Sequence, residues 1–552
     1  MELSSLSLTF QALMACLYYS LWMANASRHW AKRRCSRLCE LLRRHFTRLY
    51  RFLLSHYNPL CIRIIYLFSI SSVGLLVLKS LKLKQPSNSA RDIDMFFMAV
   101  SAATVSSMST VEMEVFSNSQ LVVLAILMLI GGELFGSMLG LQFRKEQLKQ
   151  QAMTKSCVES VAGSSPDIKD DQFEMESSAG PDPDRIEAGM VGSQSHLIDS
   201  KDLKYNAITY LGYVVMGYLL LMHVGGFVSV MVYMSLVTSA RTVLKDKGIG
   251  ILIFSFFTTI SSFSNGGFIP TNENMLVFKK NSGLLLLIIP QVLLGNTMFP
   301  SCLRLLLWVL KSMTGRAEFE YMLKNSQEIG YFHLLPHLSS LLLVATVLLF
   351  VVIQLVFFCA MEWHSEALSG MNFYQKVIGA LFLSVNSRHA GESIADISSL
   401  SPAILVLFAI MMYLPSHTSF MPFKHERFAP TNQDKAKKSM GLLKSLAVSQ
   451  LTHLAIFVIL ICISERKKIP EDPLNFSVFN IVIEVVSAYG NVGFSTGYSC
   501  SRQLKHDGVC KDAWYGFVGR WSDQGKLILI FVMFFGRLKK YNMRGGKAWK
   551  LN

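Results

Sequence analysis

The sequence predicts an all-α polytopic membrane protein, with eight transmembrane helices in four helix–pore loop–helix repeats around one central pore. Two observations lead there. Apolar spans of roughly 20 residues, the length a helix needs to cross a bilayer, recur along 552 residues that are 51% hydrophobic. Between paired spans, four polar stretches interrupt the apolar sequence: Thr104-Val-Ser-Ser-Met-Ser109-Thr, Ser261-Ser-Phe-Ser-Asn-Gly-Gly267-Phe, Val385-Asn-Ser-Arg-His-Ala-Gly391-Glu and Ser487-Ala-Tyr-Gly-Asn-Val-Gly493-Phe. Non-helical backbone at membrane depth persists only where protein buries it or water lines it. Four such stretches therefore predict one ion path lined by backbone carbonyls.

The elements follow in order. A basic tail, 1–54, holds an apolar run, Leu6–Met23, and then nine Lys or Arg between Arg28 and Arg51. A cleavable signal would carry its basic region before the apolar run, so a cytosolic tail is expected, its helix lying on the membrane or inserted as a ninth span. Repeat A (55–145) runs from Leu60–Leu78 through the Ala99–Val111 loop to Leu121–Leu141. The stretch 146–205 is rich in Ser, Asp, Glu and Gly between Lys149 and Asp202, too polar to bury a core, and is expected to be a disordered cytosolic loop. Repeat B (206–312) joins Ile208–Leu236, Phe254–Ile269 and Leu284–Leu310. Repeat C (313–425) joins Leu338–Ala360, Val377–Glu392 and Ile404–Pro415, and repeat D (426–540) joins Leu446–Ile463, Phe479–Phe494 and Leu527–Phe535. A short C-terminus, 541–552, closes this fourfold internal repeat.

The charge has the same origin. A net charge of +16 suggests nucleic acid when it forms a patch. Here the Lys and Arg cluster at span ends: Arg28–Arg51, Arg144-Lys145, Lys311 and Arg316, Lys424 to Lys438, and Arg537 to Lys550. All fall on one side if every repeat enters and leaves there, and the positive-inside rule makes that side the cytosol, with both termini on it. No nucleic acid is expected as a partner. No GxGxxG or P-loop is present, and no HExxH or Ser/Cys–His set suggests an enzyme, so neither a cofactor nor a catalytic residue is expected. The ten cysteines show no metal-ligand spacing. Cys500 and Cys510 share a segment placed outside the cell, where either a disulfide or two thiols would fit. Asn475-Phe-Ser477 matches a glycosylation acceptor on that side, whereas Asn25-Ala-Ser27 falls in the cytosolic tail.

Alignment of the loops on their turns puts Ser109, Gly267, Gly391 and Gly493 at one filter position, where carbonyls must point at an ion free of Cβ interference. Two residues earlier stand Ser107, Asn265, His389 and Asn491, polar groups able to brace neighbouring loops. Short helices such as Met95–Ser106 and Phe479–Tyr489 would aim their negative C-terminal ends at a cation. Gly132, Gly136 and Gly140 suit plain helix packing instead. Glu112 and Glu114 follow the first loop and either concentrate cations at the outer mouth or brace it. Glu273, Glu392, Asp396 and Glu484 fit bracing better. Arg537, Lys539 and Lys540 end the last span, where snorkelling accounts for a basic cluster.

The stretches Ser106-Ser-Met-Ser-Thr-Val-Glu-Met-Glu-Val-Phe-Ser117, Phe268-Ile-Pro-Thr-Asn-Glu-Asn274, Asn386-Ser-Arg-His-Ala-Gly-Glu392 and Tyr489-Gly-Asn-Val-Gly-Phe494 closely resemble the plant high-affinity potassium transporter (HKT) family, within the Trk/Ktr/HKT superfamily. The resemblance covers about residues 55 to 540. It implies a passive cation transporter of the plasma membrane, a homodimer in the lipid bilayer with one pore per subunit. Serine in the first filter position, read here as Ser109, implies the Na⁺-selective subfamily and a role in sodium uptake or retrieval that protects plant tissue from salt. It also implies a basic residue projecting toward the pore below the filter, Arg537 first and Lys540 second. A K⁺ transporter or Na⁺–K⁺ symporter on the same fold is the alternative.

Overall fold

The computed structural model describes residues 59–84, 91–142, 144–146, 148, 183–415, 417–421, 450–504, 510–542 and 548–550. The basic tail 1–54, residues 149–182 and most of the C-terminus lie outside them, and with them the expectations for Leu6–Met23 and Asn25. The chain divides into two units, Met1–Arg63 and Ile64–Asn552. Of the first, only 59–63 are described, as the opening turn of a helix.

The described chain is helical apart from one parallel strand pair, Ser419–Met421 with Ala548–Lys550. Repeat A holds Pro59–Ser80, the short helix Asp92–Thr104, and then Asn118–Gly131 and Glu133–Glu146. Repeat B holds Pro183–Leu236, the short helix Ile251–Ser264, and then Ser282–Leu294 and Phe299–Thr314. Repeat C holds His337–Glu362, the short helix Phe373–Asn386 and Pro402–Tyr413. Repeat D holds Gln450–Ser464, the short helix Val478–Gly490 and Asp523–Asn542. Local signals start these helices. Ser117 and Asn372 form capping boxes with Gln120 and Gln375, and Ser477 accepts from the Asn480 N–H, each satisfying orphan donors of a first turn.

Three expectations change. The helix Pro183–Leu236 begins inside the stretch expected to be disordered. Proline at a helix start loses no hydrogen bond, and a long apolar span propagates helix into polar sequence more readily than a new nucleus would form. The second spans of A and B are broken, by 56° between Gly131 and Glu133 and by 83° between Leu294 and Phe299, and glycines, Gly132 and Gly295, stand at both breaks, where kinks commonly arise. By length and composition, three described helices suffice to cross a membrane, or five if each bent pair is one span. Pro402–Tyr413 and Gln450–Ser464 are shorter, and Asp523–Asn542 carries charge at both ends, so the described residues do not show eight uninterrupted spans.

Membrane character shows in the side chains. Phe68, Leu76, Leu221, Leu236, Leu341, Leu348, Val356 and Phe531 face outward as large exposed apolar groups, and helices apolar on every face suit lipid. Inside, one core joins repeats B and C around Phe254, Phe278, Phe382 and Phe408. A second gathers repeat D with Phe97 and Val100 of the first short helix.

The short helices are held at a set depth by backbone contact. A Cβ on Gly131 would lie 1.9 Å from the Ala103 carbonyl oxygen, one on Gly295 1.8 Å from that of Phe263, and one on Gly536 2.1 Å from that of Tyr489. Ala103, Phe263 and Tyr489 are each the next-to-last residue of their short helix. Three repeats thus use one device, a glycine in the following helix (Gly131, Gly536) or at its C-cap (Gly295) against the equivalent carbonyl. The GxxxGxxxG run serves differently, since Gly132 is the break itself and Gly140 has open space beside it. Gly536→Ala is expected to cost about 1–3 kcal/mol through overpacking and to lower the temperature at which detergent-purified protein loses monodispersity. Gly140→Ala should leave that temperature unchanged.

Candidate ion pathway

Three of the four short helices end in the same way. Val105 (φ 55°), Asn265 (φ 60°) and Asn491 (φ 48°) cap three of them in the left-handed region, and two residues on stand Ser107 (φ 58°), Gly267 (φ 58°) and Gly493 (φ 103°), left-handed again. In repeat C the helix leaves through Ser387 in the right-handed region, and Gly391 (φ 68°) makes the turn alone.

These four residues close a ring. A Cβ on Gly267 would stand 1.6 Å from the Ala390 carbonyl oxygen and 2.3 Å from Ser107 Oγ. On Gly391 it would stand 2.3 Å from the Val492 oxygen, and on Gly493 1.9 Å from Ser107 Cβ. Each loop touches the next, A to B, B to C, C to D and D to A. Ser107 Oγ donates to the carbonyls of Ala390 (2.9 Å) and Gly266.

The ring corrects the expected register. Ser107, not Ser109, stands level with Gly267, Gly391 and Gly493. The first loop lacks a glycine to mark its turn, so alignment on sequence slips by two residues. Ser109 lies farther out, where its carbonyl and Oγ accept from the Gly516 N–H at 3.0 and 3.2 Å. Of the expected braces, Asn491 Nδ2 donates to Ser106 Oγ (2.7 Å) and to the Met533 carbonyl (3.2 Å), tying loop D to loop A and to the last helix. His389 contacts Thr297 Oγ1 at 3.2 Å, in the break of repeat B. Asn265 caps its helix and is buried.

Outside the ring lies a cavity of about 330 Å³ lined by Ser107, Gly267, Gly391, Gly493, Glu112 and Asp396, among others. Glu112 and Glu273 of its lining are engaged, and so is Glu114 nearby in sequence. Glu112 accepts from the Trp514 N–H (3.1 Å) and from Asn272 Nδ2 (3.4 Å). Glu114 accepts from the Asn272 N–H (3.0 Å) and from Lys247 Nζ (2.7 Å), which also reaches Glu273 at 2.6 Å. Burial works against the Lys247 charge, yet hydrogen bonds to Glu114 and Glu273 and their negative charge hold its pKa above the ordinary lysine value. Asn274 Oδ1 accepts from the N–H groups of Met275 and Ser393, joining repeats B and C. Deeper, Glu392 accepts from Ser262 Oγ (2.5 Å) and Glu484 from the Val518 N–H (3.1 Å).

On the other side of the ring, Arg537 is buried and donates through Nη2 to the Gly131 carbonyl. Lys539 Nζ sits over the Tyr489 ring, 4.2 Å from its centroid. Lys540 lies in the same helix, its side chain outside the described residues. Cys500 and Cys510 form a disulfide. Asn475 is fully buried: Nδ2 donates to Asp472 (2.9 Å) and the Ser499 carbonyl (3.0 Å), while Oδ1 accepts from the Ser499 N–H. A glycan has no path to that nitrogen, so the acceptor motif is a loop clasp.

Reading by sequence missed Lys247, Asn272 and the pair Lys526–Asp94, 2.6 Å apart, with side chains 1% and 10% exposed. Asn272 sits within a quoted loop motif and could have been found there. Lys526 and Asp94, 432 positions apart, carried no signal.

Four short helices aiming their C-terminal ends at one ring of backbone, inside an apolar helical shell, define a membrane protein that passes cations rather than an enzyme. The TrkH family model, described as "Cation transport protein", matches residues 192–543. Rice (Oryza sativa subsp. japonica) cation transporter HKT1;3 is 52% identical over 494 residues, covering 90% of this chain and 92% of its own. The Arabidopsis thaliana sodium transporter HKT1 is 48% identical, covering 86% and 92%, and rice cation transporter HKT2;4 is 41% identical, covering 88% and 93%. The chain belongs to the plant HKT transporters of the TrkH cation transport family.

Two outcomes check this geometry. Lys526→Met removes the buried partner of the Asp94 carboxylate and leaves it only Arg91, at 3.1 Å, so it should destabilise the protein by about 1–3 kcal/mol, and adding Asp94→Leu should recover part of that in a double-mutant cycle. Endoglycosidase treatment should shift neither the wild type nor Asn475→Gln on a gel.

Proposed function

We propose that this chain is a passive, Na⁺-selective transporter of the plasma membrane whose filter is Ser107, Gly267, Gly391 and Gly493. The single observation behind the selectivity is Ser107, a side chain where the other three loops carry none. Its Oγ donates to the Ala390 and Gly266 carbonyls. Carbonyls so engaged coordinate an ion less well, and a large K⁺ ion needs a full set to replace its hydration shell, whereas Na⁺ passes partly hydrated. The Arabidopsis relative named as a sodium transporter supports the same ion.

Each repeat contributes one span, one short helix with its loop, and a second span that is broken in A and B; in sum, eight crossings with both termini cytosolic and one pore per subunit of a homodimer. Arg537, bonded to the Gly131 backbone beyond the ring, places a positive charge on the path and limits conductance. The driving force is the membrane potential, about 2.3 kcal/mol per charge per 100 mV. Sodium uptake or retrieval in a plant is the role this suits.

Expressed in oocytes, the wild type should show reversal potentials that follow external Na⁺ and ignore K⁺. Ser107→Gly is expected to admit K⁺, while Ser109→Gly keeps the sodium preference. A K⁺ shift as large as the Na⁺ shift in the wild type would overturn the sodium reading.

A further inference from the structure

Three elements distant in sequence bring two histidines and a carboxylate together away from the filter. Glu133 opens the second half of the broken span of repeat A, directly after Gly132 in extended conformation. His333 lies in the connector that enters repeat C, in a turn closed by the Leu334 N–H on the Tyr331 carbonyl. His417 lies just past the last helix of repeat C, in a turn closed by Thr418 N–H and Oγ1 on the Pro415 carbonyl. His333 Nε2 is 3.5 Å and His417 Nε2 3.8 Å from the same Glu133 oxygen, Oε1. One donor atom from each residue lies within 4.8 Å of the others.

The side chains are buried, 9% exposed for Glu133, 2% for His333 and 7% for His417. Burial of this order demands partners. Yet 3.5 and 3.8 Å exceed hydrogen-bond length, and both nitrogens of His417 are buried without a hydrogen bond. The ring of His417 meets that of His333 edge-on, centroids 5.7 Å apart. Donors held at about 2.0–2.1 Å from one tetrahedral ion stand about 3.3–3.5 Å apart, close to the two separations observed.

We propose that Glu133, His333 and His417 form a binding site for a divalent transition metal of the Zn²⁺ class. Two imidazoles and one carboxylate suit Zn²⁺ with a fourth position open to water. Mg²⁺ and Ca²⁺ take oxygen ligands and are not expected there. Bound metal would join the break in repeat A to both ends of repeat C. The strap carrying His417 is also tied to the filter region, because Arg388 Nη2, three residues before Gly391, donates to the Pro415 carbonyl at 2.7 Å. A metal held there would thus be linked through this one bond to the loop that carries Gly391.

Purified full-length protein, stripped with chelator, is titrated with Zn²⁺ against a fluorescent competitor and separately with Co²⁺ for its visible absorption. The wild type should bind one high-affinity Zn²⁺ per chain and give a tetrahedral Co²⁺ spectrum. His417→Ala and Glu133→Gln should each weaken Zn²⁺ by about a hundredfold or more, beyond the 10–100-fold typical of outer-sphere changes. His417→Cys supplies a thiolate ligand, so it should keep Zn²⁺ and add a sulfur-to-cobalt absorption band. That band keeps the test decisive if the other variants fold poorly. No high-affinity Zn²⁺ on the wild type, equal Zn²⁺ affinity across the variants, or His417→Cys without the sulfur band would each overturn the site.

Discussion

Backbone crowded against backbone is the constraint on which this protein depends. Four loops approach one another so closely that a Cβ at Gly267, Gly391 or Gly493 would fall 1.6–2.3 Å from a neighbouring atom. Left-handed φ is open to glycine without strain, and the missing Cβ at those positions leaves room for the backbone of the neighbouring loop. The same crowding recurs one layer out, where Gly131, Gly295 and Gly536 admit the next-to-last carbonyls of three short helices. Depth of the short helices and closure of the ring are thus set by one kind of contact, repeated.

Against that background a single side chain has large consequences. Ser107 keeps the left-handed backbone of the ring but adds a hydroxyl between loops B and C. In the proposed filter, a hydroxyl bonded to the Ala390 and Gly266 carbonyls competes with the ion for them, which is the chemical basis of the sodium proposal. The other polar groups near the ring hold loops to one another. Glu112 and Glu114 carry the negative charge expected at the outer mouth, but both are bound to Asn272, and to Trp514 or Lys247. They act first as mortar between repeats A, B and D, and any attraction of cations is secondary to that.

Periodicity, composition and four short motifs made the helical membrane class, the four loops and the transporter family legible in the sequence alone. Those properties are local: apolar span length, turn residues and charge at span ends are written within a few dozen residues. The tertiary structure decided what depends on neighbours. It put Ser107, not Ser109, level with Gly267, Gly391 and Gly493, because only helix ends and contacts across loops fix the level of a turn without glycine. It broke the second spans of A and B, turned the Asn475 motif into a buried clasp, and paired Lys526 with Asp94. It also assembled Glu133, His333 and His417, which no spacing rule could connect, since their proximity exists only once repeats A and C have packed.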